Sequence, residues 1–135
     1  MSHNKIRTFW IGVFLVVALC GSASAEPVWI CSITEGVETW DDGTCHPSHL
    51  IGLETPTFLK VDLNRKQITI MAPESRRGEI TEIGVFEKAD GKWVIAGIEE
   101  GRAWSMVISD EGYMTLSVSG DGTTWSAFGH SMPAD

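Results

Sequence analysis

The sequence predicts an all-β protein: an antiparallel meander of about eight strands, closed as a small β-barrel with a β-sandwich as the alternative, and preceded by a signal-peptide helix. Three observations predict it. Short apolar runs recur along most of the chain, at spacings of roughly 10 residues. The links between them are turn chemistry, such as Ala89-Asp90-Gly91 and Gly120-Asp121-Gly122. After residue 25 no stretch carries a useful 3.6-residue apolar period.

Residues 1–25 read as a secretory signal. Lys5 and Arg7 charge the start, an apolar stretch runs from Phe9 to Leu19, and Ala23-Ser24-Ala25 supplies the small-x-small cleavage pattern. The apolar stretch falls short of the roughly 20 residues that span a bilayer. Cleavage would start the mature protein at Glu26 and leave a single domain over 26–135, periplasmic or secreted. Cys20 closes the apolar run as a lipidated cysteine would, so an outer-membrane lipoprotein is the alternative. Leu19 before it is larger than such a site prefers.

The next element expected is a strand over 28–33, followed by a loop-like stretch over 34–56 that holds Gly36, Asp41-Asp42-Gly43, Pro47 and Pro56. Loops of that length are usually functional or disordered. Cys31 and Cys45 remain after cleavage, and an even count in an oxidising compartment argues for one disulfide between them. Closing a loop of about 14 residues would stabilise the fold by roughly 3 kcal/mol in the chain-entropy picture.

Strands are then expected over 57–63, 67–72, 80–88, 93–98, 103–109, 113–119 and 124–129. Alternation says which face is buried: Leu59, Val61 and Leu63 oppose Lys60 and Asp62, and Met114, Leu116 and Val118 oppose Thr115, Ser117 and Ser119. The strands at 93–98 and 103–109 carry apolar residues on both faces. Such strands run through the centre of a sheet, lie under the N-terminal segment, or line a contact surface.

Charge excludes some partners. All 18 acidic residues but only 8 of the 10 Lys and Arg lie beyond residue 25, so the mature charge is near −10. That balance disfavours nucleic acid and anionic membrane surfaces. It permits a cationic partner.

Few motifs carry chemistry. His46 and His49, with Asp41 and Asp42 upstream and His130 as a distant third ligand, are weak metal candidates whose spacing matches no metal signature. There is no Gly-x-Ser-x-Gly elbow, phosphate loop, dinucleotide fingerprint or haem-attachment motif, so neither an enzyme nor a cofactor is expected. Arg76-Arg77 reads as a solvated pair in a turn. Of the five tryptophans after residue 25, most should be core. Trp40 on the loop, and Trp104 and Trp125 on strands, are the candidates for contact with a ligand or partner, with Arg102 on the same strand face as Trp104.

In size, export and meander, the chain resembles the small disulfide-bearing periplasmic inhibitors of lysozyme. Ser119-Gly120 followed by Trp125 is a loose echo of their inhibitory strand, where a Ser-Gly pair is followed shortly by an aromatic; the spacing differs and no tyrosine stands there. The resemblance implies an inhibitor of a cell-wall hydrolase. The residues themselves lead first to a non-enzymatic binding module for a protein or small ligand, with metal binding or catalysis at the His46/His49 loop as a further alternative.

Overall fold

The computed structural model describes residues 24–48 and 54–135. The expected leader helix, Cys20 and His49 lie outside the described residues. Among the described residues ten strands form the fold: β1 (Val28–Trp40), β2 (Cys45–Ser48), β3 (Phe58–Asp62), β4 (Gln67–Ala72), β5 (Ile80–Glu82), β6 (Val85–Ala89), β7 (Lys92–Glu99), β8 (Arg102–Ser109), β9 (Tyr113–Gly120) and β10 (Thr123–Pro133). A 3-10 turn, Glu74–Arg76, follows β4. No helix among the described residues is long and apolar enough to cross a membrane.

One antiparallel sheet holds every strand, in the order β5-β4-β3-β1-β10-β9-β8-β7-β6, with β2 added beside β1. It is a sheet curled into a half-barrel, as the meander reading predicts, rather than two sheets packed as a sandwich. The curl depends on β1 pairing with β10, from Trp29 opposite Pro133 to Trp40 opposite Thr123. The other edge of β1 is shared: β3 takes Val28–Ser32 and β2 takes Gly36–Thr39. The two ends of the sheet order meet where β5 passes into β6. There the Ile83 amide donates to Lys66 O at 2.9 Å, and the next amide, Gly84, donates to Ala96 O at 2.9 Å. Thr81 Oγ1 adds a bond to the Glu99 carboxylate at 2.9 Å.

Alternation decides the inside. Leu59, Val61 and Leu63 are buried, as are Ile95, Met106, Ile108 and Met114, and no polar or charged residue among those described is buried. On β7 and β8 the inward residues join this core. Their outward residues face solvent: Val94 and Ile98 are exposed, with nothing among the described residues packed over them. The strands that looked two-sided are therefore interior strands of the sheet with one apolar face left open.

Two expectations need correction. Residues 34–56 do not form one loop, because β1 continues past a bulge at Thr34 as far as Trp40 and turns at Asp41-Asp42-Gly43-Thr44 into β2. Hydrophobic alternation reports burial, and this half of β1 rises beyond the core, so Glu35, Glu38 and Thr39 gave a strand no apolar signature. The second correction is the staple. Cys31 and Cys45 are both free thiols, Cys31 buried and Cys45 exposed. Cys31 lies opposite Leu59 and Ser131, whereas Cys45 lies opposite Thr39 further along the same strand. That offset is roughly 26 Å of extended chain. A disulfide needs Cα atoms within about 7 Å.

Candidate functional site

One end of the half-barrel is packed with aromatic rings beside a cavity of about 250 Å³, and the other end opens into a more voluminous one. At the packed end Trp29 meets Trp93 edge to face with ring centroids 5.8 Å apart, Phe86 leans on Trp93 at 6.1 Å, and Lys88 Nζ sits 5.8 Å from the Trp93 ring. These rings consume two of the five tryptophans as packing.

The open end holds a cavity of about 550 Å³. Its floor is the inward face of four strands: Leu59 of β3, Ile68 and Ile70 of β4, Trp104 and Met106 of β8, and Leu116 of β9. Trp125 and Val118, partners across β10 and β9, complete the wall. Hairpin tips form the rim. The β7–β8 tip turns at Glu100-Gly101 and the β9–β10 tip at Asp121-Gly122, where all four residues have positive φ (48°, 76°, 54° and 75°). Consecutive positive φ values make the type I′ hairpin whose twist matches the strands it joins. These tight tips bring Glu99, Glu100 and Arg102 alongside Gly120 and Thr123 at the mouth.

Trp104 is the central wall residue. It is 6 % exposed, and its Nε1 has no hydrogen-bond partner among the described residues. An unpaired buried donor costs about 1–3 kcal/mol. The indole occupies space left by Gly97, its cross-strand neighbour on β7.

Charge at the rim is unequal. Arg76 donates from Nε and Nη2 to Glu79 Oε2, at 3.0 and 2.7 Å, and from Nη1 to Glu54 O at 3.2 Å. The hydrogen bonds that Arg76 donates to Glu79 hold the guanidinium above its ordinary range, and hold the Glu79 carboxyl below the usual carboxylate value. Arg102 lays its stem over Gly120 and points Nε at Asp121 Oδ2, 3.7 Å away. Both arginines thus have carboxylate partners. Glu99 accepts from Thr81 Oγ1, lies opposite Arg102 across β7 and β8 and adds to the negative charge around Arg76, while Glu38 and Glu100 on the same rim make no salt bridge among the described residues.

Of the residues singled out in the sequence, Arg102, Trp104 and Trp125 are brought together in this cavity. Trp40 is not in its wall; it ends β1 opposite Thr123, 46 % exposed. Trp125 of the Ser-Gly echo is half-buried and turned into the cavity beside Val118. His46 lies opposite Glu38 across β2, whereas His130 stacks on Tyr113 at 5.7 Å near the other end of β1. His46 and His130 therefore do not come together, and no group of three His, Cys, Asp or Glu among the described residues could hold a metal. Sequence reasoning missed Glu38, Thr81, Glu99 and Arg76. Their signal is positional, since each sits at or near a strand end that the curl carries to the mouth.

Compared with known proteins, the chain matches no family, no curated protein and no solved structure.

Proposed function

We propose that this chain is an exported, non-enzymatic binding protein that takes a small, largely apolar ligand into the open end of its half-barrel. The observation that carries the reading is the cavity itself: about 550 Å³, with Trp104 and Trp125 beside an aliphatic floor and charged and hydroxyl side chains around the mouth. Sites for small molecules commonly measure about 300–1,000 Å³, apolar inside with a few polar groups at the edge. Export rests on the leader-like residues 1–25, and acidity supports a soluble carrier over a binder of phosphate backbones.

The test uses N-phenyl-1-naphthylamine, a neutral dye that brightens in apolar surroundings. Titration of purified protein should give a saturable rise in dye emission and energy transfer from tryptophan. Val118→Trp, which fills the wall opposite Trp125, should weaken it severalfold. A native protein that leaves the dye dark at all concentrations would overturn the cavity as a ligand site. Intact-mass measurement on exported material tests the address: a terminus at Glu26 supports it, and residues 1–25 retained on the protein in the cytosol would refute it.

A further inference from the structure

We infer that the folded domain shields its own processing site: the bond between Ala25 and Glu26 is readily cut only before residues 26–28 dock, and Asn64 then holds the new chain start. This order of events rests on the export reading and adds to it that cleavage precedes folding. Ala23-Ser24-Ala25 is the pattern after which a signal peptidase cuts. The structure ties the chain down directly on the other side of that bond. The Glu26 amide donates to Asn64 Oδ1 at 2.8 Å, and Asn64 Nδ2 donates back to Glu26 O at 2.7 Å. Leu63 N donates to Pro27 O at 3.3 Å, and β1 begins at Val28.

A protease cuts chain that has opened away from the fold, so its rate follows the population of the opened segment. Ser24 and Ala25 are exposed, but Glu26 is engaged at both of its backbone groups. Seating the bond in an active site requires the Asn64 clip to come apart. The next residues deepen the closure. Val28 stands opposite Asp62, its carbonyl accepts from Ala134 N at 2.9 Å, and Trp29 is buried. Because Ala134 follows β10, that bond forms only after the last strand is made. The site is open on the growing chain and shut on the finished one. In the cut itself, water adds its hydroxyl to the Ala25 carbonyl carbon and its proton to Glu26 N. With the carboxyl proton, this leaves a carboxylate on Ala25 and an ammonium group on Glu26. An ammonium group is a stronger donor to Asn64 Oδ1 than the amide it replaces.

The experiment times a bacterial signal peptidase on the purified full-length precursor in mild detergent, with the product terminus read by mass. The unfolded reference is Val61→Asp, which places an unpaired charge at a fully buried position far from the cut in sequence. Circular dichroism confirms which chains are folded. The folded precursor should be cut after Ala25 about tenfold more slowly than that reference, the size expected of two or three exposed hydrogen bonds. Asn64→Ala should recover severalfold of the lost rate while remaining folded. Asn64→Asp, which keeps an acceptor but loses the donor to Glu26 O, gives the same readout should the alanine variant not fold. A folded precursor cut as fast as the unfolded chain overturns the shielding and leaves the export reading standing. An unfolded chain that is not cut after Ala25 overturns both. Folded Asn64 variants cut no faster than the unmodified precursor overturn the part given to Asn64.

Discussion

Gly97 and Trp104 face each other across β7 and β8, and the indole lies where a side chain at 97 would have to go. A Cβ built on Gly97 would stand 2.7 Å from Trp104 Cζ2, 2.8 Å from Cε2 and 2.9 Å from Nε1. The atoms in the way belong to a rigid, nine-tenths buried ring, so they cannot swing aside as a flexible side chain would. This pair sets the shape of the cavity wall: the absence of one side chain permits the placement of the other.

Gly97→Ala should therefore destabilise the protein by about 1–3 kcal/mol through overpacking, read as a lower urea midpoint at unchanged m-value. Trp104→Phe shortens the ring and removes the unpaired donor, so the double variant should lose less than the two single losses added. Strictly additive losses would show that the two residues do not compete for the same space.

The thiols should behave as two unlike groups. Burial pushes the Cys31 thiol up to about 12 from an ordinary 9.0, while Cys45 is exposed. A thiol-specific reagent at pH 8 should label Cys45 alone in the native protein and both cysteines after unfolding. Above pH 9 the unfolded chain loses the Cys31 proton and the folded one keeps it, so stability should fall as pH rises from about 9 towards 12. Two thiols that react only after reduction would mean the crosslink forms after all.

Acid should loosen the rim. The Glu79 carboxyl is held below its ordinary 4.5 by the hydrogen bond from Arg76. A depressed acid stabilises the folded state above that ordinary value and ceases to do so as pH falls through the lowered one. A side-chain carboxyl NMR titration should place the Glu79 midpoint below 4.5, and Arg76→Gln should return it towards 4.5. A wild-type midpoint at 4.5 or higher would remove the ion pair from solution.

Much of the fold was legible because most strands are amphipathic. Gln67–Ala72 was readable to the residue, and the inward sets of β3 and β9 followed from alternation. The sequence failed where burial stops. The outer half of β1 and the whole of β2 are strands by hydrogen bonding alone, so Glu38, Thr39 and His46 looked like loop. Ile80–Lys88 looked like one strand and is two, because Ile83 and Gly84 change partners at the seam. Arg102, Trp104 and Trp125 were legible as unusual side chains near one another in sequence or on one face. Arg76 and Glu99 were not, since only the curl of the sheet carries their strand ends to a common mouth.

The pairing of β1 with β10 has a consequence for how the molecule comes into being. Trp29 waits for Pro133 and Trp40 for Thr123, partners made more than eighty residues later. Until residues 123–133 emerge, the longest strand has one flank bare, and such distant pairings delay folding. A polypeptide built this way can pair its neighbouring hairpins early but completes its sheet only once the last strand is in place.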